Sequence, residues 1–188
     1  TEIIRMPEDA AATAVEQLIE VAAQLTGSEN ALIADAAELV QIVAGKYPGD
    51  RGLLVAFVMN LVHLAPGESA FTPDGQVHAY VSGTAIELMN PSDNVMRAGL
   101  TAKHIDTEEL IKVLGESQDA PVIQQPTPDN APVGTYAMWD ERMSVTRIRV
   151  EEGKPQEYTF EGISAALSVS GEITIHAADG NGTEEFVL

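Results

Sequence analysis

The spacing of apolar side chains changes once along this chain, near residue 50, and that change constrains the fold more than any other feature. Over residues 8–25, Val15, Leu18, Ile19, Ala22 and Leu25 recur at steps of three and four, with Asp9, Glu16 and Glu20 opposite. This pattern predicts an amphipathic helix. Thr26-Gly27-Ser28 supplies a stop and then an N-cap residue. A second helix is expected over residues 29–45, with Leu32, Ile33, Ala36, Leu39, Val40 and Val43 on one side and Gly45 at its end. Tyr47-Pro48-Gly49-Asp50 then reads as a turn. Two helices joined this way form a helical hairpin.

Beyond the turn, short apolar runs replace the helical period. Val55–Leu64 ends at Ala65-Pro66-Gly67-Glu68, and Ala70-Phe71, Val77–Ser82 and Thr84–Met89 are expected strands divided by Pro73-Asp74-Gly75 and Gly83. Residues 106–114 read as a short helix with Asp106 as N-cap and Glu109 three residues on. Residues 116–131 are rich in Pro, Gln and Asn and read as a linker or surface strap. Gly134–Trp139, Ser144–Val150, Gln156–Phe160, Ala165–Val169 and Glu172–His176 are expected strands of a second β-unit, with a tight turn over Asp179–Thr183. Evenly spaced short strands point to an antiparallel sandwich or barrel. The expected fold class is therefore α+β.

The formal charge of −19 excludes some partners. Affinity for nucleic acid comes mainly from Lys and Arg neutralising phosphates, and anionic membranes are met the same way. Neither is an expected partner. No segment is apolar for long enough to span a bilayer. With no cysteine, there is no disulfide or thiolate metal site, so a zinc-type centre would need His, Asp, Glu or Gln. The lack of disulfides fits a cytoplasmic protein.

Chemistry concentrates in residues 77–103. His78 lies near the start of an expected strand, just past Pro-Asp-Gly, and Tyr80 and Ser82 share its face by period two. A lone histidine is commonly a packing residue; polar neighbours on its face mark this one as a candidate metal ligand. Arg97 and Lys103 bracket Ala-Gly-Leu-Thr-Ala in a chain with only 10 Lys and Arg. A guanidinium fork and an ammonium point charge together make a candidate anion clamp. Glu87 faces away from Ile86 and Leu88 by alternation, and Asp93 reads as a turn residue. His63, His104 and His176 stand at no metal-ligand spacing from His78.

The run from Asn60 to Asp106 resembles the type I mannose-6-phosphate isomerases, zinc enzymes of the cupin class. The resemblance rests on Leu-Val-His-Leu-Ala-Pro-Gly-Glu, Val-His-Ala-Tyr-Val-Ser-Gly, Ile-Glu-Leu-Met, and the long Ser-Asp-Asn-Val-Met-Arg-Ala-Gly-Leu-Thr-Ala-Lys-His-Ile-Asp. It implies cupin-type β-barrel or jelly-roll units with an N-terminal helical segment. Residues 1–54 would be the helical segment and 55–115 the second half of the catalytic cupin. After the linker at 116–131, residues 132–188 would form a C-terminal cupin-like domain, incomplete at its end.

The same resemblance implies roles. His78 would be the metal ligand, although Val77 stands where the family has proline. Arg97 would be catalytic. Lys103, Tyr80, Glu87 and Asp93 would bind substrate. Zinc would be the cofactor, and a phosphorylated hexose the substrate of an aldose–ketose isomerisation. The family's remaining ligands, a Gln-x-His pair and a glutamate, precede its helical domain. Here the one Gln-x-His ends on His78 itself. The chain is thus expected to begin inside the helical domain, with those ligands on polypeptide before Thr1. The alternative is a non-catalytic cupin-like module that binds a sugar phosphate or serves assembly.

Overall fold

A computed structural model of the chain describes residues 1–188 except 93, 116–118, 161 and 179–182. The elements in order are α1 (Glu2–Arg5), α2 (Glu8–Leu25), α3 (Ala31–Lys46), α4 (Gly52–Phe57), β1 (Ser69–Ala70), α5 (Thr107–Val113), β2 (Ile123–Gln124), β3 (Val133–Tyr136), β4 (Val145–Ile148), β5 (Thr174–Ala178) and β6 (Thr183–Val187). They divide into two units. The first holds Thr1–Leu64 with Ala70–Val122, the second Ala65–Ser69 with Ile123–Leu188.

The first unit is built on the helical hairpin. The acidic Glu8 and Asp9 sit in the first turn of α2, where the helix dipole favours them. The cap of α3 is Asn30, whose side chain accepts from the amides of Leu32 and Ile33; Ser28 instead accepts from Asn30 N. Gly45 does not end α3, which continues to Lys46. The turn follows as expected, with Asp50 N donating to Tyr47 O. Val15, Ala22, Ala37, Leu39, Val40, Val43 and Leu53 form the core, and Leu18, Ile19, Ala44, Leu54, Val81 and Leu100 pack on it. Leu32, expected on the apolar side, is 80% exposed because it lies in the first turn of α3.

Three sets of side-chain bonds extend this unit, one local and two between distant parts of the chain. Asp106 accepts from Glu109 N and caps α5; the Glu109 carboxylate turns to Lys112 rather than closing a capping box. Arg5 makes a two-pronged ion pair with Glu108, joining α1 to α5. Arg51 donates to the carbonyls of Ile4 and Met6, joining α1 to the start of α4.

The strand expectations fare less well here. Val55–Leu64 begins inside helix α4, which starts straight off the Tyr47–Asp50 turn with Leu53 N on Asp50 O. Val77–Ser82 and Thr84–Met89 carry no ladder among the described residues. Alternation fits a residue to a pleated face, but a strand is stabilised only by a paired neighbour.

In the second unit, β3 pairs antiparallel with β4, Gly134 opposite Arg147, and β5 pairs antiparallel with β6, His176 opposite Glu185. The Ala65–Glu68 turn is held there by Tyr136 OH donating to Gly67 O and by Gln125 donating to Glu68. Gln156–Phe160 and Ala165–Val169 have no strand partner among the described residues; of the turn expected over Asp179–Thr183, residues 179–182 lie outside them and Thr183 opens β6. The chain is thus α+β, with short antiparallel pairs; the described residues close no barrel. Among them, no helix is long and apolar enough to cross a membrane.

Two substitutions measure this architecture. Leu53 is fully buried, so Leu53→Ala is expected to cost about 2–5 kcal/mol of helical-unit stability. Asn30→Ala removes a cap and is expected to cost about 1 kcal/mol. Urea denaturation followed by the helical circular-dichroism signal reads both, and a smaller loss at Leu53 than at Asn30 would refute this account of the core.

Candidate active site

The arm carrying His78 is moored at both ends of residues 75–81. Gly115 N donates to Gly75 O at 2.9 Å, and Gln76 Nε2 donates to Asp119 O at 3.2 Å. At the other end Val81 packs on the helical core while its carbonyl accepts from Lys46 Nζ at 3.0 Å. Gly75 has a φ of 77°, and a Cβ there would lie 2.6 Å from Val113 O. Only glycine meets both conditions.

Between these moorings three side chains converge. His78 Nε2 lies 3.7 Å from Glu87 Oε1, and the His78 and Tyr80 rings meet edge-on at 6.1 Å. Desolvation, then a hydrogen-bond interaction with Glu87 and its charge, raise the Tyr80 pKa above the usual tyrosine value. Tyr80 therefore stays a neutral donor through the physiological range. The expected sharing of one face by His78 and Tyr80 is realised, and Glu87 joins them from the following segment.

The His78 ring has a defined orientation. Its Nδ1 lies 3.3 Å from Gln76 O. In the tautomer protonated at Nδ1, that nitrogen donates to the carbonyl and Nε2 keeps its lone pair on the Glu87 side. A backbone carbonyl fixing one ring nitrogen is the usual support of a metal-ligating histidine. Nε2 and Oε1 are close enough to share one ion at about 2.0–2.2 Å from each. This donor pair fits part of a zinc centre. No group of three or more His, Asp or Glu donors occurs among the described residues.

Arg97 and Lys103 sit on a separate, exposed segment. Its anchor is Leu100, which packs on the core with a φ of 53°. A non-glycine residue in that left-handed region costs about 1–2 kcal/mol, so surrounding contacts must impose it. Beside it Gly99 lies against Gly52 at the start of α4. Lys103 N donates to Thr101 Oγ1 at 3.2 Å. In this unit Arg5, Lys46, Arg51 and Lys112 each have a carboxylate or carbonyl partner. The side chains of Arg97 and Lys103 have neither hydrogen bond nor ion pair among the described residues, and no such bond joins them to the His78 cluster. Asp93 lies outside the described residues.

Sequence reasoning missed Gly52, Gln76, Lys46 and the left-handed Leu100. Gln76 carried a signal, since it precedes the candidate ligand by two. The other three act through partners that are 35 or more residues away in the chain, and no local pattern marks such contacts.

Comparison with known proteins adds the family. A mannose-6-phosphate isomerase of Cryptococcus neoformans is 38% identical over 152 residues, 76% of this chain and 34% of that protein. The mannose-6-phosphate isomerase of Rattus norvegicus is 34% identical over 173 residues, 85% of this chain and 40% of its own. This chain is a relative of the mannose-6-phosphate isomerases. Mannose-6-phosphate isomerase 2 of Arabidopsis thaliana agrees, at 35% identity over 136 residues, 72% of this chain and 31% of that protein. The chain spans about a third of the length of these isomerases. No family model matches it, and no solved structure matches it.

The Tyr80–Glu87 interaction makes a prediction. Glu87→Gln removes the charge that opposes phenolate formation, so the Tyr80 pKa is expected to fall while desolvation keeps it from falling fully. The sign follows from linkage. The interaction favours the neutral phenol, so its contribution to stability is whole below the ordinary tyrosine pKa and is lost as pH rises through the elevated folded value. Ultraviolet titration of wild type, Glu87→Gln and Tyr80→Phe reads the shift. An unchanged Tyr80 transition in Glu87→Gln would remove the pairing.

Proposed function

We propose that this chain is part of a metal-dependent isomerase of the type I class that interconverts mannose 6-phosphate and fructose 6-phosphate. The observation that carries the reading is the similarity to several proteins named mannose-6-phosphate isomerase, across most of this chain. The grouping of His78, Tyr80 and Glu87 and the uncommitted charges of Arg97 and Lys103 support it. The cupin-type barrel units, the boundaries at 55–115, 116–131 and 132–188, zinc as the metal, and a cytoplasmic location belong to the same reading. A non-catalytic sugar-phosphate module draws no support from relatives that are named as isomerases.

The reaction moves one proton from carbon 2 of the aldose to carbon 1 of the ketose through an enediol, with the oxygen protons redistributed and no net redox change. An acid–base group carries that proton. Its barrier lies in the negative charge that develops on the sugar oxygens. Arg97 offsets that charge with a planar donor fork. Lys103 holds the phosphate as a point charge. Tyr80, kept protonated, donates to a sugar oxygen, and Glu87 accepts from a hydroxyl. Asp93 is assigned to substrate binding by the same reading. His78 and Glu87 would hold the metal from this chain's side, and a bound zinc ion supplies Lewis-acid polarisation of the substrate oxygens.

Two experiments test the reading. In a protein that carries this chain and turns over mannose 6-phosphate, Arg97→Ala is expected to lower kcat at least about a hundredfold with a much smaller change in KM. A coupled assay measures this, and an unchanged kcat removes Arg97 from the chemistry. Zinc titrated calorimetrically into the 188 residues alone is expected to bind weakly, because a catalytic zinc usually needs three protein ligands. Tight stoichiometric binding would mean that the donor set is complete within this chain.

A further inference from the structure

We infer that Gly52 is a positioning residue for Arg97: the close backbone contact between the start of α4 and Gly99–Leu100 sets where the guanidinium stands. The inference rests on the reading of Arg97 and Lys103 as an anion clamp. Gly52 is buried and precedes Leu53, which has no exposed surface, so its backbone is fixed by the core. A Cβ on Gly52 would lie 2.7 Å from Leu100 N and 2.9 Å from Gly99 Cα. Both are backbone atoms, which cannot rotate aside as a flexible side chain would. The contact is reciprocal, since a Cβ on Gly99 would lie 2.5 Å from Gly52 Cα.

Gly52 has no freedom on its other side. Its amide donates to Asp50 Oδ1 at 2.7 Å, and that oxygen would stand 3.0 Å from the added Cβ. The opposing segment is held as well. Leu100 packs on the helical core in its left-handed conformation, and Lys103 N is tied to Thr101 Oγ1. A methyl at residue 52 therefore has to displace the backbone of Gly99 and Leu100. Arg97, two residues before Gly99, moves with it. No polar side chain is lost, so the change acts on placement and leaves the charge count of the clamp intact. A misplacement on the order of 1 Å is enough to cost about a hundredfold in a reaction that needs an aligned group.

The test titrates mannose 6-phosphate calorimetrically into a protein that carries this chain and turns over that sugar phosphate, comparing wild type with Arg97→Ala, Gly52→Ala and Leu100→Ala. Circular dichroism confirms folding, and the His78 and Tyr80 ring resonances in NMR spectra report on the separate His78 cluster. Gly52→Ala and Leu100→Ala are expected to weaken binding at least about tenfold, in the direction of Arg97→Ala, with those ring resonances as in wild type. Leu100→Ala adds no atoms and loosens the same segment, so it decides the matter if Gly52→Ala does not fold. Wild-type affinity in the folded positioning variants, with Arg97→Ala weakened, overturns the role of Gly52 and leaves the clamp standing. No difference between wild type and Arg97→Ala overturns the clamp and this inference with it. Weakened binding with shifted His78 and Tyr80 ring resonances means a general loosening and overturns the positioning role.

Discussion

The seam between α2 and α3, closed by Leu53, is the contact on which the candidate site depends. Val15, Val40 and Leu53 have 1%, 0% and 0% of their surface exposed, and two distant residues complete this cluster from outside. Val81 arrives from the His78 arm and Leu100 from the Arg97 segment. Among the described residues neither segment has a ladder of its own, so their positions are borrowed from the helical core. Fully burying an aliphatic side chain supplies about 1.5–3 kcal/mol, and these partly buried anchors gain a share of it. At Val81 the apolar anchor and the Lys46 bond act together.

The helices were readable because their information is local. A three- and four-residue period, a Gly stop and a Pro-Gly turn place α2 and α3 almost to the residue, and Asp106 announces α5 by itself. The errors at their ends have local causes. Asn30 and Ser28 are both good caps, and the helix takes the one nearer its first apolar residue. Gly45 weakens a helix but does not stop one that buries Val43 two residues before it and whose last residue, Lys46, is tied to Val81.

The β-region was readable only where a partner lies nearby in the chain. β3 with β4, and β5 with β6, are hairpin pairs separated by short connections, and the sequence pattern located β3, β4 and β5 within a few residues. Val77–Ser82 and Thr84–Met89 have the same alternation without that neighbour. Here period two describes what a segment is able to pair with, not what it pairs with. The consequence for the site is informative: Ile86 and Leu88 remain 64% and 46% exposed beside the His78–Glu87 pair. Grouping His78 with Tyr80 needed only alternation. Bringing Glu87 to them needed the turn at Gly83, whose φ of 105° lets the chain reverse. The contact of Gly52 with Gly99 spans almost half a hundred residues and left no trace in composition or period.

An acidic chain that meets an anionic ligand has to resolve a conflict between long-range repulsion and local attraction. Distance and partners decide the outcome. Charges farther away than about 8 Å are largely screened at physiological salt, so the net −19 counts for less at close range than the cations nearest a site. What matters is whether those cations are already spent. Arg5, Lys112, Arg142 and Lys154 each face a carboxylate, and that attraction would have to be broken before they bound anything else. The Asp140 carboxyl shows the strength of one such pairing, since Arg142 holds it down at about 2. Arg97 and Lys103 are placed differently. Their segment is fixed by Leu100 in the core and by backbone contact at Gly52, so order in the backbone does not consume charge in the side chains. A fold that anchors a cationic segment through apolar and main-chain contacts leaves its guanidinium and ammonium groups available to a ligand.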